Sequence, residues 1–474
     1  MNSIIWYDFE TSDSRKEFGQ IIEAGVVITD EKLKIKEQKQ LRCRLKPNVI
    51  PNIGACLVHR ASVDQLKSSN LSHYSLITEL YNIIKLNSPA YIVGYNSIEF
   101  DEEFLRCSYF KSLIPEIYQT NTSGNKRLDI LNVARAAKFY DDSSIKTQLD
   151  KKNNRPSFKL VNLCEANDIN NGTSHNALVD TLNTHAIGKI IYNNAKPLWD
   201  IALTTTSKLE TETFILKNKT YTILEYYKGQ HYVFLAHHIF FHPKYKWSIN
   251  WDCKVNPDKY LKMDRKALAK VIDASPKILR TCRTNKSPVL LKSDFALNNE
   301  NYSQIDTKEI DRRLKVLKDN PEFIETLKSI LLEKAEEKET LNQSEKLFEE
   351  TIYAGGFANE KDKMLMKKFH EVDWKEKVSL IEKFSEERFQ YFAECLIYEE
   401  SPESLPKSIY NKIHRSFAQR LLSTNKEKWE TTASFFNEID NLREKKYKDD
   451  KEMLKILEEY NQHVIEIQTR FENA

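Results

Sequence analysis

Residues 4–10 read Ile-Ile-Trp-Tyr-Asp-Phe-Glu, two carboxylates set into a run that otherwise belongs in a protein interior. Read as a strand, the run alternates faces, so Asp8 and Glu10 point one way while Tyr7 and Phe9 point the other. Like charges on one face of a buried strand repel and are costly to strip of water unless cations neutralise them. Hard divalent ions such as Mg2+ or Mn2+, which take oxygen ligands, are the natural counter-charge. On its own an Asp-x-Glu pair is better read as an exposed strand end bearing ordinary acids, so the rest of the chain must decide.

Two further stretches repeat the idea. Residues 91–105 (YIVGYNSIEFDEEFL) run from an apolar strand, 91–94, through a turn at Asn96 to Asp101, which begins a helix. Alone, Asp101 reads as a favourable first-turn charge on the helix dipole. Residues 172–190 (GTSHNALVDTLNTHAIGKI) carry His175 and Asp180. Five residues apart on one helix they would stand about 140° apart. They serve one site only if His175 lies on the lead-in loop, with Ser174 or Thr173 as cap and Asp180 on the inner face beside Ala177.

The chain has 474 residues, enough for two or three separate cores, and with 30% charged and 40% apolar residues it is globular. Lys and Arg number 72 against 69 Asp and Glu, so the net charge of +3 identifies no partner. Seven scattered cysteines without a Cys-x-x-Cys pair fit a reducing cytosol and offer no zinc motif. The first residues form no basic leader or apolar core of a signal, and no apolar stretch reaches membrane-spanning length, which leads us to expect a soluble intracellular protein.

Three textures follow one another. Up to about residue 194, β-rich runs at 4–9, 21–29, 40–45, 91–94 and 128–131 alternate with helical patterns and predict an α/β region. From about 202 to 295, short aromatic strands with a hairpin turn at Lys228-Gly229 predict a small β domain. Beyond Thr307 the chain becomes helical and rich in Glu and Lys, with Asn320-Pro321 marking one helix start and 334–346 a solvated charge run. Residues from about 344 onward form an amphipathic helical domain.

Taken together, Asp8-x-Glu10, Asn96 with Phe100-Asp101, and His175 with Asp180 are far more specific than any part. The order resembles the DEDD superfamily of 3′→5′ exonucleases, in the subgroup whose fifth catalytic residue is a histidine. The surrounding text, YDFETSD (7–13), GYNSIEFDEEFLRCSYF (94–110), RLDILNVARA (127–136), RPSFKLVNLCEANDI (155–169) and SHNALVDTLNTHAIGKII (174–191), resembles the exodeoxyribonuclease I family, as does EETIYAGGFANEKDKMLM (349–366). The resemblance implies an α/β ribonuclease-H-like exonuclease domain with a mixed sheet flanked by helices (1–198), an SH3-like β domain with connecting helices (199–343) and a C-terminal α-helical domain (344–474). It implies Mg2+-dependent, processive hydrolysis of single-stranded DNA to 5′-mononucleotides in DNA repair and recombination, in a bacterial cytoplasm, by a monomer. It further implies docking of the acidic C-terminal tail of single-stranded-DNA-binding protein, at a place the sequence does not mark.

Hydrolysis of a phosphodiester needs a deprotonated water in line with the leaving 3′-oxygen and positive charge on the phosphate. Four carboxylates, Asp8, Glu10, Asp101 and Asp180, are a donor set for two Mg2+, with Mn2+ as a substitute. By resemblance Asp8 bridges the ions, Glu10 and Asp180 complete one, and Asp101 supports the other. His175 is the expected general base, since imidazole titrates near neutral pH. Thr11, by resemblance, offers a backbone group to the terminal 3′-hydroxyl. Ser12-Asp13 departs from the family, where an aromatic residue or leucine and then glycine are usual. Asn96 and Phe100 are candidates at the terminal nucleotides, with turn geometry and core packing as their plainer readings; Arg127 and Asp129 receive packing and positioning duties only.

A track for single-stranded nucleic acid should be basic and aromatic, because phosphates supply affinity and bases offer faces to stack on. Residues 244–292 hold 13 Lys and Arg against 4 Asp and Glu, with Tyr245, Trp247, Trp251 and Tyr260 interleaved. Lys244, Lys246, Trp247, Trp251 and Lys254 are therefore the expected substrate contacts, a solvated lysine face over buried tryptophans being the alternative. His237, His238 and His242 lack a carboxylate or cysteine at ligand spacing and read as structural. Two other functions share these motifs: an RNA-directed exonuclease of the same superfamily, and a non-catalytic single-strand-binding scaffold.

Overall fold

Strand β1 (Ser3–Thr11) is apolar on both faces, with Ile4, Ile5, Trp6, Tyr7 and Phe9 all buried, and such a strand is stable only at the centre of a covered sheet. In the computed structural model, which describes residues 3–59, 61–172, 175–341 and 345–474, that is where it lies. It joins β2 (Ile21–Thr29), β3 (Ile35–Arg42), β4 (Ala90–Gly94) and β5 (Lys126–Asp129) in the order β3-β2-β1-β4-β5. The β1/β2 and β2/β3 pairs are antiparallel, β1/β4 and β4/β5 parallel, so the sheet is mixed as expected.

Helices α1 (His73–Asn87) and α2 (Asp101–Lys111) cover the face that carries Ile5, Tyr7 and Phe9, whereas α3 (Ile130–Tyr140) and α4 (Ala177–Asn194) cover the face of Ile4 and Trp6. By strand alternation Asp8 and Glu10 share the α4 face. Two glycines let α4 come close. A Cβ on Gly188 would lie 2.6 Å from the Trp6 ring, and one on Gly25 would lie 2.2 Å from the Ala177 carbonyl oxygen. The Thr181 hydroxyl adds a hydrogen bond to the Gly25 carbonyl at 3.2 Å. Since Asp8 pairs with Gly25 and Glu10 with Glu23, the strand that seats α4 is the one that flanks the two acids.

Some boundaries differ from the sequence reading. The third strand occupies Ile35–Arg42 rather than 40–45, because an edge strand is half exposed and its IKEQKQLR carries no apolar run to reveal it. β5 ends at Asp129, whose side chain caps α3 by accepting the Leu131 N–H. The cap of α4 is Asn176, which accepts the Val179 N–H at 3.1 Å; Thr173 and Ser174 lie outside the described residues.

A second sheet, β6 (Tyr221–Tyr227), β7 (Gln230–Phe241), β8 (Ser248–Asp252), β9 (Leu279–Cys282) and β10 (Leu290–Lys292), is antiparallel in the order β10-β6-β7-β8-β9. Its β6–β7 turn is Lys228-Gly229, both with positive φ (48° and 77°), the hairpin geometry the sequence implies. A helix starts at Pro321 and runs to Leu341; the expected boundary at 343/344 falls outside the described residues. The helices Glu387–Glu400, Lys407–Leu421 and Lys451–Phe471 build a core around Phe389, Phe392, Tyr460 and Val464 that is continuous with Ile22, Ile53 and Phe110 of the first region. All seven cysteines are buried free thiols, and among the described residues no helix is long and apolar enough to cross a membrane.

Substituting Gly25→Ala forces the start of α4 away from β2. We expect it to lower stability by about 1–3 kcal/mol, the usual cost of overpacking, seen as a lower urea midpoint at unchanged slope. A variant as stable as the parent would show that this contact yields freely.

Candidate active site

β4 pairs with β1 only as far as Trp6, which leaves β1 beyond it free on that side. The vacancy is filled by Asp101, the first residue of α2, whose Oδ1 accepts the Phe9 N–H at 3.1 Å. This bond sets a buried carboxylate, 5% exposed, against the backbone between Asp8 and Glu10. On the other side, the turn before α4 closes when the His175 N–H donates to Asp180 Oδ2 at 2.9 Å. His175 has a left-handed φ of 66° and lies on the lead-in, where the sequence argument required it. Ligand atoms of Glu10, His175 and Asp180 all lie within 4.8 Å of one another.

The electrostatics of this cluster are unfavourable as they stand. Burial, then Asp101, Asp180, Glu10 and Glu23, hold the Asp8 carboxyl well above its usual range. Glu10 is pushed up to about 8, by burial first and then by Asp180, Glu23 and Asp101. Asp101 rises to about 7, mainly through burial, and Asp180 is raised by burial against the His175 and Asn183 hydrogen bonds. Among the described residues no Lys or Arg pairs with any of these four.

Neighbouring acids are treated quite differently. Wholly buried Glu102 accepts from Arg106 at 2.5 Å and from Arg127 at 2.8 and 2.9 Å. Glu103 meets Arg106 (3.0 Å), Lys16 (3.2 Å), Lys286 (3.8 Å) and the Tyr353 hydroxyl (2.6 Å). Glu23 meets Arg42 at 2.8 Å and Asp13 meets Arg15 at 2.5 Å. Oxygen donors that lack a built-in cation and crowd at one point are the chemistry of a hard divalent metal site, and the residues present fit Mg2+ or Mn2+.

Asp129 and Arg127 act behind the site. Asp129 Oδ1 accepts the Asn96 N–H at 2.8 Å and the Leu131 N–H at 3.0 Å, fixing the left-handed turn at Asn96 (φ 58°) that leads to Asp101. Asn96 is exposed at this turn. Phe100, for which core packing was the plainer reading, is 36% exposed beside Asp101, with its ring 5.0 Å from that of Phe104. Thr11 is buried and its hydroxyl donates to the Asp13 carbonyl at 2.9 Å. Ser12 and Asp13 are buried too, so neither side chain can stack on a terminal base.

The basic wall divides. Trp247 is half-buried, stacked on Tyr245 at 4.6 Å with Arg283 5.0 Å from its ring, and Arg283 reaches Glu99 at 3.4 Å. Lys286 also reaches Glu99, at 3.4 Å, and donates to the Ile98 carbonyl at 3.2 Å, so this wall touches the turn that carries Phe100 and Asp101. Lys246 is exposed next to Trp247, and Lys244 pairs with Glu339. Trp251 does not belong to the wall: it is 0% exposed, donates to the Val255 carbonyl and packs near Tyr260 and Phe323, so it has no face to offer a substrate. Lys254 follows the opposite end of β8 from Trp247 and donates to Asn301 at 3.1 Å, away from the Trp247–Arg283 contact. The three histidines are structural: His237 bonds the Lys219 carbonyl, His238 the Ser248 hydroxyl, and His242 accepts from the Lys244 N–H. Sequence reasoning missed Glu23, although an acid inside IIEAGVV is the same signal that singled out Asp8 and Glu10.

Residues 346–467 match the family model described as the exonuclease I C-terminal domain. Exodeoxyribonuclease I of Buchnera aphidicola subsp. Acyrthosiphon pisum (strain APS) is 22% identical over 384 residues, spanning 76% of this chain and 88% of that protein. The chain is similar to exodeoxyribonuclease I along most of its length. The fold matches that of solved exonuclease I structures nearly end to end. The structure of E. coli exonuclease I in complex with a dA16 oligonucleotide superposes with a TM-score of 0.83 at 19% identity, covering 98% of this chain and all of that one. A structure of SSB/exonuclease I in complex with an inhibitor gives a TM-score of 0.82 at 19% identity, again over 98% of this chain and 100% of the other. At these identities the likeness carries the fold: a mixed sheet flanked by helices, a small SH3-like β unit and a helical C-terminal region.

The raised carboxyls have a consequence for stability without metal. A group whose folded pKa lies above its unfolded value binds more protons in the folded state, so stability is lost as pH rises from the unfolded toward the folded pKa. For Glu10 that window runs up to about 8 and for Asp101 to about 7. In EDTA, Asp8→Asn removes one of the mutually repelling charges and is expected to melt higher than the parent. The gap should widen from pH 5 to pH 8, by about 1 °C for each kcal/mol relieved in a chain of this length. A variant that melts lower than the parent across this range would contradict the repulsion.

Proposed function

We propose that this chain is a 3′→5′ exodeoxyribonuclease that degrades single-stranded DNA to 5′-mononucleotides with two Mg2+ ions, for which Mn2+ can substitute. The observation that supports the reading is the contrast in pairing: Asp101, Asp180 and Glu10 lie close enough for their charges to act on Asp8, and among the described residues none of the four meets a Lys or Arg, whereas Glu102, Glu103, Glu23 and Asp13 beside them each have one. By likeness to the family Asp8 would be shared between the ions, Glu10 and Asp180 would complete one and Asp101 would support the other. Bound there, the pair of ions would supply positive charge against the anionic phosphate and lower the pKa of an attacking water.

The chain's own residues do the rest. His175, beside Glu10 and Asp180 on the lead-in to α4, takes the water's proton on an imidazole nitrogen. The Thr11 backbone, at the end of β1, meets the terminal 3′-hydroxyl. Phe100 and Asn96, both exposed at the turn before Asp101, meet the terminal nucleotide. Lys246 and Trp247, with Arg283, lie on the path of the strand, Lys244 at its edge; Arg283 is an addition from the structure. We assign nuclease, β and helical domains to 1–198, 199–343 and 344–474, and extend the reading to a monomer in the bacterial cytoplasm, active in DNA repair and recombination. Single-stranded-DNA-binding protein is the proposed partner, by likeness to the SSB/exonuclease I structure.

The test uses 5′-labelled single-stranded DNA, duplex DNA and RNA with Mg2+, with EDTA and Asp8→Ala as controls. Stepwise shortening of single-stranded DNA, lost in both controls, is expected. Preference for RNA would move the assignment to an RNA-directed exonuclease, and binding without shortening to a scaffold. His175→Ala should cut about 10²–10⁴-fold more slowly with DNA affinity retained; cutting at the parent rate near pH 7 would remove His175 as the base.

A further inference from the structure

The first N–H groups of a helix have no intrahelical acceptor, and buried ones must find one elsewhere. Ala177, which opens α4, is 0% exposed. Its N–H is taken by Glu23 Oε1 at 3.1 Å, across 154 positions of sequence. Glu23 is held in turn from the edge strand: Gln40 donates to Oε1 at 2.7 Å and Arg42 donates to Oε2 at 2.8 Å, Arg42 being its register partner on β3. The carboxylate thus ties β3 to the N-terminus of α4, where negative charge is favoured.

What hangs on that tie is the site itself. His175 stands two residues before Ala177 and Asp180 three after, and the two are joined by the His175 N–H to Asp180 bond. Glu23 faces Glu10 across the β1–β2 pair, so one side chain bears on both halves of the Glu10, His175, Asp180 cluster. Its own oxygens are committed to Ala177, Gln40 and Arg42, which keeps this fifth acid out of the donor set. Resting on the nuclease reading, we propose that Glu23 is a positioning residue: it seats the start of α4 so that His175 and Asp180 meet Glu10.

The proposal separates from a general loss of folding by its readouts. In Glu23→Ala the Ala177 amide should lose its hydrogen-exchange protection while the melting transition remains cooperative. kcat on single-stranded DNA should fall by about tenfold or more with KM changed less than about threefold, because the lost tie acts on the proton-taking and metal-holding groups rather than on the strand. Glu23→Gln keeps an oxygen for the Ala177 N–H and should restore protection and most of kcat. In a His175→Ala background the alanine substitution should cost less than it does in the parent, since residues acting through one another are not additive. Unchanged Ala177 exchange, an unchanged kcat, or a glutamine variant as impaired as the alanine variant would overturn the role of Glu23. A parent that leaves DNA intact would overturn the nuclease reading instead, and the exchange measurement would still judge the tie.

Discussion

Like charges gather inside a folded protein only where something offsets them, and the site of this chain is built on four carboxylates that no Lys or Arg among the described residues pairs with. Asp8 and Glu10 come from the central strand, Asp101 from the start of one helix and Asp180 from the first turn of another. Burial holds all four carboxyls above the ordinary range, and the other acids of the set add to the rise at Asp8 and Glu10. The protein has cations to spare nearby and places them on the adjacent acids, two arginines on Glu102 alone. Excluding positive side chains from one point while supplying them one residue away is what distinguishes a cation site from an accident of composition.

Placing the four requires close backbone contact. Gly25 and Gly188 let α4 approach to distances at which a Cβ would clash with Ala177 or with Trp6. Asp101 uses a backbone group that the short β4 leaves free. Behind α2, Glu103 collects Lys16 from the first region, Lys286 from the β unit and Tyr353 from the helical region. All three parts of the chain therefore meet two residues from Asp101. A basic and aromatic wall reaches the same place through Trp247, Arg283 and Glu99, which gives the site a surface suited to an extended polyanion.

How legible each element was depended on how local its cause is. β1, β2 and the Lys228-Gly229 hairpin are dictated by side-chain alternation and turn chemistry, and they stand where the sequence puts them. Helix geometry required His175 to lie on a lead-in loop if it and Asp180 were to serve one site, and it lies there. The edge strand β3 was misplaced because half its surface faces water and its sequence looks like a charged loop. Trp251 and Trp247 share the same basic stretch, yet one fills the core and the other lies half-exposed; composition cannot tell them apart, because β8 is buried along its whole length. Phe100 went the other way, exposed by the turn that Asp129 fixes from 29 positions beyond it. Glu23 was overlooked because its role is a bond to Ala177 that exists only once β2 and α4 are packed.

The central claim is that these carboxylates form a pocket for divalent cations, and counting bound ions tests it without reference to turnover. Titration with Mn2+ followed by electron paramagnetic resonance at neutral pH should show about two ions per chain, with the pair lost in Asp8→Asn while the fold survives. A parent chain that binds no Mn2+, or an Asp8→Asn variant that binds as much as the parent, would contradict the account.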